Sequence, residues 1–114
     1  METKKLQNKF ILKKTFQFKT ISKMGCKYHT PHFLILVHHN RLNYARLGIT
    51  ASRRVGNAVV RNRIKRLLRE FFRHNQYRFN SYDLSIIVKK NINIKYLNYS
   101  FIDAELDKII YKLC

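Results

Sequence analysis

Acidic residues are scarce: six Asp and Glu stand against twenty-four Lys and Arg in 114 residues, for a formal charge of +18. Self-repulsion on that scale opposes compaction, so a compensating gain is expected, and a polyanionic partner is the obvious source. The acids present, Glu2, Glu70, Asp83, Asp103, Glu105 and Asp107, do not form the clustered carboxylates that a protein-borne two-metal nuclease needs. Asp103 and Asp107 share a helical face, but acids in the first turns of a helix need no catalytic explanation. Long apolar runs are missing as well. The longest, Phe33 to Val37, has five residues, whereas crossing a bilayer takes about 20. The N-terminus is basic but lacks the apolar core of a signal peptide. Two cysteines, Cys26 and Cys114, make neither a disulfide framework nor a paired metal motif. A reduced, cytoplasmic protein with no membrane partner is therefore expected. Repeats and Gly/Ser linkers are also absent, and a 46% hydrophobic fraction suffices for one compact domain but not for two. Residues 1–9, polar and lysine-rich, are expected to form a flexible basic N-terminus to that single domain.

The histidines offer little chemistry. Cys26, His29 and His32 are spaced by three around Pro31, but a fourth zinc ligand would have to come from elsewhere, and loop or strand-edge roles account for them better. No histidine pair is positioned for metal-independent acid–base cleavage. His38 and His39 alternate along a strand and could add phosphate contacts.

What is present is periodic. A short helix is expected after residue 9, with Phe10, Lys14 and Phe18 one helical step apart and Gly25 as its stop. The run Phe33-Leu34-Ile35-Leu36-Val37 reads as a buried strand entered through Pro31, whose fixed φ suits a strand start. Asn40 to Asn43 supplies a polar turn. Leu47, Ile49 and Ala51 then alternate with Arg46, Gly48, Thr50 and Ser52 at the period of a half-buried strand. A hairpin pairing these two strands is the simplest arrangement. The longest periodic segment runs from Asn57 to about Arg73. Asn57 can cap its first turn, and Gly56 permits an unusual backbone angle before it. Val60, Ile64, Leu67, Leu68 and Phe71 fall on one stripe, which makes the segment an amphipathic helix of about four turns. Leu84, Ile86 and Val88 mark a further strand, and residues 91–98 a loop. Ser100 with Asp103 fits a capping box for a last helix with the apolar face Ile102, Leu106, Ile109, Ile110 and Leu113. The order is that of an α/β sandwich, one sheet covered by helices.

The stripe on the long helix leaves Asn62, Lys65, Arg66, Arg69 and Arg73 on the opposite side, with Arg61 and Arg63 near its borders and Arg53 and Arg54 just upstream. From Arg53 to Arg73 there are eight basic residues and one acid. A solvated helix face is the bland explanation, but three details oppose it. Arginine outnumbers lysine seven to one here, and its planar fork suits phosphate oxygens and base stacking. Opposite charges at i and i+4 are nearly absent, so surface pairing cannot explain the pattern. The helix N-terminus is itself positive, and Arg53, Arg54 and Gly56 bring side chains and backbone N–H groups to it. These residues point to a nucleic-acid surface. No zinc finger, basic zipper or paired recognition helix indicates DNA. Phe18, Tyr28, Tyr44, Phe72 and Tyr77 lie outside the main core stripes and could stack on unpaired bases, as single-stranded RNA favours.

The run from Arg53 to Glu70, and within it Gly56-Asn57-Ala58-Val59-Val60-Arg61-Asn62-Arg63-Ile64-Lys65-Arg66, resembles the signature of the bacterial ribonuclease P protein family. Leu47 to Ser52, Tyr82 to Val88 and the opening Leu12-Lys13-Lys14 with Phe18, Ile21 and Gly25 resemble the family too, so the likeness extends from about residue 10 to 113. It implies an αβββαβα order, a four-stranded sheet and a left-handed βαβ crossover, although parallel units generally favour the right hand. It implies a protein subunit of a ribonucleoprotein that binds the catalytic RNA subunit and the 5′ leader of precursor tRNA and promotes leader removal, leaving a 5′-phosphate. The resemblance puts catalysis and most bound Mg²⁺ on the RNA subunit and substrate, with no catalytic residue, metal ligand or organic cofactor on this chain. Its implied RNA-binding residues are Arg53, Arg54, Asn57, Arg61, Asn62, Arg63, Lys65, Arg66 and Arg69, with Phe18 and Lys14 in the leader cleft. Ser22 stands where a second aromatic is usual and Leu36 where some members carry tyrosine. From composition and size alone, a ribosomal or other non-enzymatic RNA-binding protein is the alternative.

Overall fold

The computed structural model describes residues 8–110 and 112. Most of the expected flexible N-terminus lies outside them, as do Leu113 and Cys114. Helix α1 (Thr15–Met24) is followed by strands β1 (Cys26–His29), β2 (Phe33–His39) and β3 (Arg46–Thr50). The long helix α2 (Ala58–Asn75), strand β4 (Tyr82–Val88) and helix α3 (Tyr99–Ile110) complete the αβββαβα order. The four strands form one mixed sheet in the order β1-β2-β4-β3.

Strand β2 occupies an interior position because both its faces are apolar. Phe33, Ile35 and Val37 join Leu84, Ile86 and Val88 of β4 beneath α2 and α3, where Ile64, Leu68, Phe71, Ile102 and Leu106 complete the main core. Leu36 turns to the other face and packs with Leu12 and Ile21 under α1. Each such buried Leu, Ile or Phe supplies about 1.5–3 kcal/mol of transfer energy, offset by the entropy of ordering it.

The expected hairpin between β2 and β3 does not form. β2 instead pairs antiparallel with β1 and β4, and β3 pairs parallel with β4 after crossing over through α2. β4 separates the two because its own apolar alternation lets it be covered on both faces, whereas β1, with only Tyr28 as a large apolar side chain, suits an edge. Three further expectations need correction. Phe10 lies in a short 3₁₀ turn, Asn8–Phe10, ahead of α1. The α3 cap is Asn98, whose Oδ1 accepts the Phe101 N–H at 2.8 Å, and not Ser100. No glycine has positive φ; Gly56 is needed because a Cβ there would lie 2.8 Å from Val60 Cγ1.

Three of the five acids among the described residues serve the seams of the fold. Asp83 accepts two hydrogen bonds from Arg46, at 2.8 and 2.7 Å, and one from Asn40. The carboxylate hydrogen bond holds the Arg46 guanidinium above its ordinary pKa despite partial burial. Glu105 of α3 accepts from Thr30 Oγ1 and the His32 N–H and faces His32 Nδ1 at 2.7 Å. Arg78 donates to Asp107 at 2.8 Å and to Asn75.

Candidate nucleic-acid interface

Helix α2 starts as its sequence dictates. Asn57 Oδ1 accepts the Val60 N–H at 3.0 Å, and the helix has no acid in its first turn, so its positive end is uncompensated. Arg53 and Arg54 stand exposed in the turn before it. Along the helix, Asn62, Arg63, Arg66 and Arg69 are exposed while Arg61 and Lys65 are half-buried.

Arg61, Lys65 and Arg69 follow one another at steps of four and therefore form one row. Lys65 and Arg69 reach a small open groove of about 100 Å³, which Ile11, Leu12, Phe18, Leu47, Gly48 and Ile49 also line. The segment before α1 closes this groove by running beside β3: Ile11 bridges Leu47, and the Leu12 N–H donates to the Leu47 carbonyl at 2.8 Å. Phe18, from α1, thus comes to lie beside cations of α2 that are some fifty positions away in sequence.

The charge in this surface is unspent. Among the described residues, Arg53, Arg54, Arg61, Lys65, Arg66 and Arg69 have no acidic partner, and Glu70 of α2 faces His74 at 3.8 Å instead. Arg61 carries a buried Nε with no hydrogen-bond partner among the described residues. Arg63 differs from its neighbours, since one of its N–H groups goes to the Leu97 carbonyl at 2.9 Å. Lys14 occupies the N-cap position of α1. Its ammonium lies 5.8 Å from the Phe16 ring, outside the residues lining the groove.

The other aromatics separate clearly. Phe72 is buried and stacked on Phe79, with centroids 5.9 Å apart, so it is a core residue and not a stacking platform. Tyr44 meets Phe10 edge-on, and the Tyr28 hydroxyl donates to the Lys112 carbonyl. Tyr77 is 79% exposed and Phe16 62%. The sequence reading missed Gly48, Leu12 and Ile11 as groove-lining residues. Only the β3 edge, which the hairpin expectation misplaced, brings them to the site.

Fold and surface together define a small basic nucleic-acid-binding protein built on a mixed αβββαβα sheet. A family model described as Ribonuclease P matches residues 6–114. The ribonuclease P protein component of Fusobacterium nucleatum is 43% identical over 101 residues, covering 86% of this chain and 91% of that protein. The Syntrophus aciditrophicus component is 42% identical over 102 residues, covering 89% and 84%. The solved RNase P protein of Staphylococcus aureus superposes with a TM-score of 0.80 at 29% identity, covering 90% of this chain and 94% of that one. That of Thermotoga maritima gives 0.78 at 25%, covering 98% and 99%.

The chain belongs to the ribonuclease P protein family. It is the non-catalytic protein subunit of the ribonucleoprotein enzyme that processes the 5′ leader of precursor tRNA.

Proposed function

We propose that α2 and the groove beside it divide the work of binding. Arg53, Arg54, Asn57, Arg61, Asn62, Arg63, Lys65, Arg66 and Arg69 dock the RNA subunit and neighbouring phosphates, and Phe18 with Lys14 meets the leader. The observation that carries this reading is the row of unpaired cations bordering an open, aromatic-floored groove. Phosphate contacts fix register and contribute affinity without reading sequence, while a ring beside them can stack on an unpaired base. Because only the precursor carries a leader, such contacts favour precursor over product.

Mg²⁺ belongs, on this proposal, to the RNA subunit and the substrate. Among the described residues no three His, Cys, Asp or Glu come together, and Asp83, Glu105 and Asp107 are held by Arg46, His32 and Arg78. On this proposal the chain acts in the cytoplasm as one domain, with RNA and neither DNA nor a membrane as its partner. No helix among the described residues is long and apolar enough to cross a bilayer.

The test is precursor-tRNA cleavage at low Mg²⁺ with protein alone, RNA subunit alone and both together. The expected outcome is no 5′ processing by the protein alone and rescue on mixing. Cleavage by the pure protein, or no effect on the RNA subunit, contradicts the proposal.

A further inference from the structure

Gly48 stands in the middle of β3, a place where glycine weakens a strand and needs a reason. Backbone conformation does not supply one, since no glycine here has positive φ. The reason is space on the α1 side of the sheet. A Cβ built on Gly48 would lie 2.4 Å from Phe18 Cε1, 2.6 Å from Phe18 Cζ and 3.2 Å from Leu12 Cβ. The Phe18 ring is therefore seated directly on the strand backbone, in the volume that any other residue would fill with its own side chain.

That seat fixes where the ring can be. Phe18 is only half-buried, and the groove it lines is bordered by Lys65 and Arg69. With one side of the ring against Gly48, its position relative to these two cations is set by the strand and not by side-chain torsion alone. A base stacked on the ring then has its flanking phosphates within the field of both cations, an arrangement that combines stacking with charge.

We propose that Gly48 is a positioning residue for the leader: the absence of a side chain at 48 seats Phe18, and the seated ring gives this subunit its preference for precursor over mature tRNA. The proposal rests on the reading that Phe18 meets the leader. Loss of one stacked base corresponds to about 5- to 150-fold in affinity, and a displaced ring should lose part of that.

The experiment uses the reconstituted holoenzyme and measures binding of precursor and mature tRNA, together with the affinity for the RNA subunit, for F18A, G48A and the F18A/G48A double variant. F18A should lower the preference for precursor. G48A should lower it in the same sense, with affinities for mature tRNA and RNA subunit unchanged, and the double variant should be no worse than F18A alone. If G48A weakens all three affinities, or adds its full effect to F18A, Gly48 merely maintains the sheet and the inference is overturned. If F18A leaves the preference intact, the leader reading itself is wrong and the inference goes with it. Should G48A alone unfold, the stabilities of the same three variants decide the matter. Recovery of stability in F18A/G48A relative to G48A supports a seat for the ring, and equal destabilisation of both overturns it.

Discussion

The seams of the fold and the outer face of α2 handle charge in opposite ways. Between the starts of β3 and β4 and along α3, carboxylates have partners: Asp83 with Arg46, Asp107 with Arg78, Glu105 with His32. Along α2 the arginines are equally dense, but no carboxylate answers Arg61, Lys65, Arg66 or Arg69 among the described residues. Six acids cannot balance twenty-four bases, so their placement decides which part of the surface stays positive. Asp83, Glu105 and Asp107 hold elements together, and α2 is the helix proposed here to be neutralised by RNA.

Three changes would break or sharpen this contrast. The largest effect concerns salt. If α2 and its surroundings make about six to ten phosphate contacts, affinity for the RNA subunit should fall about 10³–10⁵-fold between 50 and 200 mM salt. A titration of labelled RNA across that range checks it, and a flat response would mean that the unpaired cations are idle. Next is the matched side. Asp83→Asn removes the charge that Arg46 and Asn40 share at a site where Asp83 is 4% exposed. Leaving a guanidinium uncompensated there should cost about 3 kcal/mol of stability, the low end for a buried pair because Arg46 keeps some solvent contact. Urea unfolding measures the loss, and RNA affinity at low denaturant should be unchanged. The smallest effect is at the start of α2, where Asn57→Ala deletes the cap on the Val60 N–H. It should cost about 1 kcal/mol, read as a shift in the urea midpoint.

Much of this was legible in the sequence, for physical reasons that also explain the gaps. α2 announces itself because its apolar stripe repeats over many turns and Asn57 caps it, and the structure buries Ile64, Leu68 and Phe71 as that stripe requires. The cationic face follows from the same wheel. Strand partnership does not, because periodicity reports which face of a strand is buried and says nothing of its neighbour; β4 could enter between β2 and β3 only through a crossover that no local pattern encodes. β1 escaped notice because Cys-Lys-Tyr-His carries almost no alternation. Phe72 looked available for stacking because it sits beside the main stripe, yet Phe79, from the turn after α2, folds back over it. The groove at Gly48 was invisible for the same reason as the strand order. Its walls come from residues 11–12, α1, β3 and α2, which meet only once β3 is an edge.

The measurement that bears most directly on the division between matched and unmatched charge is the salt dependence of RNA-subunit binding for Arg66→Ala against wild type, with Arg78→Ala as the paired control. Arg66 is exposed and without an acidic partner, while Arg78 is committed to Asp107. Arg66→Ala should weaken binding, flatten the slope of log affinity against log salt by about one unit, and leave the unfolding midpoint in place. Arg78→Ala should lower the midpoint and leave the slope alone. Equal slopes for all three proteins, or an Arg66→Ala protein that unfolds, would contradict the account.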